Sequence, residues 1–124
     1  MKVSHGAMLI AKERTRQVEE EGWTALHDYE QEDGALAAAG ACYALDYAGQ
    51  DRRKMGGKYC KTYADEAHRL WPWDFEYWKA TPDDAIKQLT KAGALIAAEI
   101  DRLYVFEKLL KAMEKAPKGS FLNP

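Results

Sequence analysis

Apolar residues along this chain recur at helical spacing, and no stretch shows the every-second-residue alternation of a half-buried strand. In the C-terminal half, Ile86, Leu89, Ile96, Ile100, Leu103, Phe106 and Leu110 form such a series, which predicts an apolar stripe on one long helix. Thr81-Pro82-Asp83-Asp84 should open it, with Thr81 as N-cap, Pro82 at N1 and Asp84 at N3 of a box-like cap. The pattern carries it to about Lys115, before Pro117. Near the start of the chain, Met8, Leu9, Ile10, Arg14, Gln17 and Val18 lie in a run of good helix formers that stops at Gly22, a residue suited to the C′ position.

A second helix is expected from Gln31 to Ala48, and a short one from Tyr59 to Leu70. The run from Gly34 to Ala44 is almost all small residues, and a matching run spans Lys91 to Glu99, so these two stretches are expected to pack closely together. The predicted architecture is all-α, a compact helical bundle with a long C-terminal helix. Residues 1–116 make one domain and 117–124 a flexible tail.

Charge narrows the partners. The chain has 124 residues and a formal net charge of −2. That balance gives no broad basic footprint for duplex nucleic acid or an acidic membrane, so any anion site must be local. Two cysteines, Cys42 and Cys60, are too few for a disulfide framework and point to a reduced, cytoplasmic protein. The N-terminal residues read as neither signal peptide nor membrane span.

Candidate chemistry concentrates in Trp71-Pro72-Trp73-Asp74-Phe75-Glu76-Tyr77-Trp78-Lys79, five rings and a lysine in nine residues. Such rings can sandwich a planar base, or they can close the mouth of a small helical core; a pocket wall can do both. His27 beside Asp28 can fix a tautomer or share a ligand, while Asp28 is equally suited to capping the next helix. Glu30, Glu32 and Asp33 suit the first turn of that helix and also offer oxygen ligands to Mg²⁺. Glu19-Glu20-Glu21 reads as a solvated last turn whose poor fit to the helix dipole hints at a nearby cation. Arg52, Arg53, Lys54 and Lys58 sit among glycines in a basic loop that either is solvated or folds over phosphates.

Glu13-Arg14 with Arg16-Gln17-Val18, Glu21-Gly22-Trp23-Thr24, His27-Asp28, Gly34-Ala35-Leu36-Ala37, Trp71-Pro72-Trp73-Asp74 with Trp78-Lys79, and Lys91-Ala92-Gly93-Ala94-Leu95 with Ala98-Glu99 together resemble a group of small phage-encoded proteins of mostly unassigned function. More distantly, the Gly-Trp-Thr to His segment before a Gly-x-Leu-Ala helix, followed by a second small-residue helix, resembles the MazG-like all-α nucleotide pyrophosphohydrolases. That resemblance implies Mg²⁺ held by an E-x-x-E pair on one helix and an E-x-x-D pair on the next. Here those positions fall on Glu32 and Ala35, and on Lys91 and Ala94, so three of four carboxylates are absent. An alanine cannot ligate metal, and a lysine there opposes a dication while favouring an anion.

The leading expectation is therefore a non-catalytic, homo-oligomeric binder of a nucleotide-like small molecule, with no catalytic residues and no cofactor. Trp71, Trp73 and Trp78 would stack the base; Lys79, Lys91 and Arg14 would meet phosphate; His27 and Asp28 would complete the site. In a phage such a binder would act as a sponge for a nucleotide-derived immune signal of the host. One alternative is a divergent Mg²⁺-dependent pyrophosphohydrolase with metal on Asp28, Glu32 and Glu99. Another is an inhibitor that binds a host protein.

Overall fold

A computed structural model describes residues 2–22, 34–51, 53–57 and 59–120. Four helices account for most of them: α1 (His5–Glu21), α2 (Ala35–Ala48), α3 (Lys61–Leu70) and α4 (Ala85–Lys115). Single 3-10 turns occur at Arg53–Met55 and Phe75–Tyr77, and there is no strand among the described residues. The all-α expectation holds, with α4 at 31 residues the long C-terminal helix. No helix among the described residues is long and apolar enough to cross a membrane.

The caps explain the boundaries. Helix α1 begins at His5, ahead of the expected run, because the Ser4 hydroxyl accepts the Ala7 N–H at 3.1 Å and satisfies an otherwise orphaned donor. It ends as expected at Gly22, whose φ of 71° is the left-handed conformation glycine adopts freely. The acidic last turn finds its cation within the helix: Arg16 lies 3.6 Å from Glu20 and 2.9 Å from Glu21. Residues 31–33, expected to start the second helix, lie outside the described residues, as do His27, Asp28, Glu30 and Glu32.

The start of α4 differs from the expectation. Asp84, not Thr81, is the N-cap, its carboxylate accepting the Lys87 N–H at 3.1 Å. Thr81 instead accepts the Asp84 N–H on its carbonyl at 2.9 Å, closing a turn through Pro82 and Asp83 before the helix begins.

Helix α2 is the centre of the bundle. Asp46 meets Gln88 while Gly40 lies against Ala92 and Leu95, so α4 runs antiparallel to α2. Gly49 lies against Ala64 and Tyr43 against Trp71, so α3 is antiparallel to it as well. On the other side of α4, Gly93 abuts Ile10, and Asp101 accepts from Arg14 at 2.9 Å, fixing α1 alongside. The two small-residue stretches pack on each other, as expected. A β-carbon on Gly40 would stand 2.9 Å from the Ala92 carbonyl oxygen, so this crossing tolerates no side chain there.

That close approach also overturns the expected orientation of α4. The apolar stripe does not face the core: Ile86 and Ile100 are more than 60% exposed, and Leu89, Ile96, Leu103, Phe106 and Leu110 are exposed too. The buried face carries Ala92, Ala94, Leu95 and Ala98 together with Gln88 and Glu99. Helices brought this near bury mainly small side chains between their axes; Leu95 fits beside Gly40, Ile96 borders the same glycine at the edge of the contact, and most of the other bulky residues lie off this face.

Candidate functional site

The segment between α3 and α4 forms an aromatic cap. Trp71 is extended (φ −54°, ψ 124°), the conformation that a following proline imposes, and this ends α3. Its indole N–H donates to the Asp74 carbonyl at 3.2 Å while its ring is buried. Trp73 and Trp78 meet Trp71 edge-on, with centroids 5.4 and 4.8 Å away. Trp78 stacks on Tyr43 of α2 at 4.9 Å, nearly parallel. The rings thus fill the space between one another, and one face of Trp78 is already covered by Tyr43. His68 approaches Trp78 and Phe75 edge-on.

Beneath the cap lies a buried polar network. Gln88, 1% exposed, donates to the Tyr43 carbonyl at 3.0 Å and to the Asp46 carboxylate at 2.8 Å, and accepts the Thr81 N–H at 2.8 Å. Each polar atom of the amide is thereby used, as burial requires. The Tyr43 hydroxyl accepts the Lys79 N–H at 2.9 Å, and burial pushes its ionisation above the ordinary value. His68 Nε2 lies 3.9 Å from the other Asp46 oxygen. One residue, Tyr43, thus joins α2, the cap and the start of α4.

Lys91 stands between this cap and a charged groove. Its ammonium donates to the Lys79 carbonyl and stands 5.8 Å from the centre of the Tyr43 ring, within reach of a cation–π attraction. Burial lowers the Lys91 pKa, and the positive charges of Lys87, Arg16 and Lys79 push the same way, while Glu13 opposes them. Beside it, Leu9, Lys12, Glu13, Arg16, Asp84, Ile86, Lys87 and Thr90 line an open groove of about 370 Å³ between α1 and the start of α4. Arg16 is held by Glu13 and Glu21, which push its ionisation upward, so it stays charged.

Of the candidates from the sequence, Trp71, Trp73, Trp78, Lys79 and Lys91 come together around Tyr43. Arg14 does not join them: it is buried where α1 meets α4, with its Nε donating to Asp101. Glu99 is buried and paired with Arg102. His27, Asp28 and Glu32 lie outside the described residues. In the basic loop, Arg53 pairs with Asp51 at 2.6 Å, which holds that carboxyl down to about 2; Arg52 and Lys58 also lie outside the described residues. No group of three His, Cys, Asp or Glu side chains among the described residues is arranged to hold a metal ion.

Sequence reasoning missed Tyr43, Asp46 and Gln88. A signal was present: Tyr43 and Asp46 are three apart in a helix of small residues, hence on one face, and a tyrosine and a carboxylate there have to find partners. Lys12, Arg16 and Lys87 were missed because their convergence depends on how α1 crosses α4.

An all-α bundle bearing an aromatic cap beside a groove lined by charges of both signs is what the fold and the site define. Comparison with protein-family models, curated proteins and solved structures gives no match.

Proposed function

We propose that this protein binds a nucleotide-like anion without hydrolysing it. The carrying observation is Lys91, partly buried between the aromatic cap and the groove, its ammonium donating to the Lys79 carbonyl and lying 5.8 Å from the centre of the Tyr43 ring, with Lys12 and Lys87 lining the groove beside it. The groove beside it carries Lys12, Arg16 and Lys87 against Glu13 and Asp84, and Arg16 is already paired with Glu13 and Glu21, so an anion would be met by Lys12, Lys87 and Lys91. The groove is open to solvent and of a size to admit a phosphate-bearing group. Phosphate would lie on Lys91 and Lys87, and the ring of the ligand against the exposed edge of the cap, at Trp78 or Tyr77.

The non-catalytic part of this reading rests on Ala35, Lys91 and Ala94, none of which offers a carboxylate. In a phage, such a protein would sequester a nucleotide-derived signal of host immunity. The test is calorimetric titration with cyclic nucleotides, ADP-ribose and nucleoside triphosphates, followed by chromatography of the nucleotide. Micromolar binding of at least one, recovered unchanged, and a tenfold or greater loss in Lys87→Ala/Lys91→Ala are expected. Absence of binding, or Mg²⁺-dependent conversion of triphosphate to monophosphate, would overturn the proposal.

A further inference from the structure

Three side chains hold the end of the aromatic cap to the bundle. Lys79 donates its N–H to the Tyr43 hydroxyl of α2 at 2.9 Å, and its carbonyl accepts from the Lys91 ammonium of α4. Two residues on, the Thr81 N–H donates to the Gln88 side chain at 2.8 Å. These holds differ in strength of anchoring. Gln88 is 1% exposed and its amide also reaches Tyr43 and Asp46, so it is fixed from several directions. Lys91 is only partly buried, and a flexible four-carbon stem lets its ammonium swing without moving the helix. On the cap side it has the Lys79 carbonyl and, 5.8 Å away, the centre of the Tyr43 ring. On the groove side, Glu13, Arg16 and Lys87 are close enough to act on its charge, and its neighbour Thr90 lines the groove itself. The two sides compete for one cation. A carbonyl offers the ammonium a neutral acceptor, whereas an anion adds full Coulomb attraction to the hydrogen bond.

We propose that Lys91 is a clasp coupling the groove to the cap: its ammonium holds the Lys79 end of the cap closed, and an anion entering the groove draws it off the Lys79 carbonyl and loosens that end. The coupling rests on the reading of the groove as an anion site. Its reach is limited by the other holds. Gln88 keeps Thr81 at the start of α4, so the segment that gains freedom is Trp78 to Ala80. Trp78 lies nearly parallel on Tyr43 at 4.9 Å, and movement of this segment uncovers the ring faces that the stack now closes. Occupancy of the groove is thereby reported to the aromatic side of the site.

The test is amide hydrogen exchange of the full chain, read residue by residue by NMR, with inorganic pyrophosphate as the probe and calorimetry alongside. In Lys91→Met, which keeps most of the stem and removes the ammonium, the Lys79 amide is expected to exchange on the order of tenfold faster than in the wild type with no anion present. The Thr81 amide, held by Gln88, should change much less. Pyrophosphate added to the wild type is expected to accelerate Lys79 selectively in the same way, an arm that does not depend on the variant folding. Unchanged Lys79 exchange in a folded Lys91→Met would overturn the clasp whether or not pyrophosphate binds, as would equal acceleration of Lys79 and Thr81. Pyrophosphate that binds by calorimetry yet leaves Lys79 exchange unchanged would overturn the clasp and leave the anion site standing. No binding of pyrophosphate would overturn the coupling together with the anion reading, even where Lys91→Met frees Lys79.

Discussion

The two faces of α4 reverse the usual assignment of large apolar residues to the inside and small or polar ones to the outside. The inner face carries Ala92, Ala94 and Ala98 with Leu95, Gln88 and Glu99, and it is almost wholly buried; most of the leucines and isoleucines of the helix lie off that face and are partly exposed. Side-chain size, not hydrophobicity alone, decided which face went in. Once Gly40 allows α2 to approach the Ala92 backbone, the contact consists of many short-range packing interactions, and a larger side chain in place of Gly40 or Ala92 would push the helices apart. The buried amide of Gln88 is tolerated because its three hydrogen bonds are complete.

Substitutions can break this contrast. The largest effect is expected for Gly40→Val, whose added carbons would overlap the Ala92 carbonyl and Ile96: a loss of about 3 kcal/mol or failure to fold, read by urea denaturation. Next is Gln88→Leu. It keeps the volume but removes the side-chain donor to the Asp46 carboxylate and strands the Thr81 N–H, at a cost of about 2–3 kcal/mol in the same assay. Tyr43→Phe removes only the acceptor for the Lys79 N–H and should cost about 1 kcal/mol while retaining the stack on Trp78, visible as unchanged tryptophan emission. Smallest is Ile100→Ser on the outer face. At concentrations where the chain is monomeric, its melting temperature should hold, equivalent to a change within about 0.5 kcal/mol.

A pH series sharpens the same contrast at the site. The folded-state pKa of Lys91 lies below its ordinary 10.5, so folding favours its neutral form. Its contribution to stability is therefore complete above 10.5 and is lost as pH falls through the lowered folded pKa. Binding of an anion has the opposite dependence, because the ligand needs the ammonium. Affinity is expected to fall as pH rises through the lowered Lys91 pKa, before ordinary lysines deprotonate. Lys91→Arg should move that fall to higher pH in a calorimetric titration.

Much of the fold was legible in the residues themselves. Helical spacing without strand alternation gave the class, Gly22 the end of α1, and the paired small-residue runs the contact between α2 and α4. These signals are local, or rest on a steric rule that needs no coordinates. For the site, the clustering around Trp71 to Lys79 was legible from the density of rings, while Lys91 was singled out only through the distant resemblance, which lays a metal-ligand position on it. The organiser of the site, Tyr43, was not legible, and Arg14 proved to hold α1 to α4 rather than to join the cap.

By itself, then, the sequence determined that the chain is helical, roughly where its helices stop, and which two of them touch. Periodicity, capping and the absence of Cβ atoms act within a few residues or at a single crossing. Only the tertiary structure decided which face of α4 is buried, that Gln88 ties Tyr43 to Asp46, and that Lys12, Arg16, Lys87 and Lys91 gather on one side. Those outcomes depend on crossing geometry between helices far apart in the chain, and a periodic stripe marks two possible faces without saying which neighbour will claim one of them.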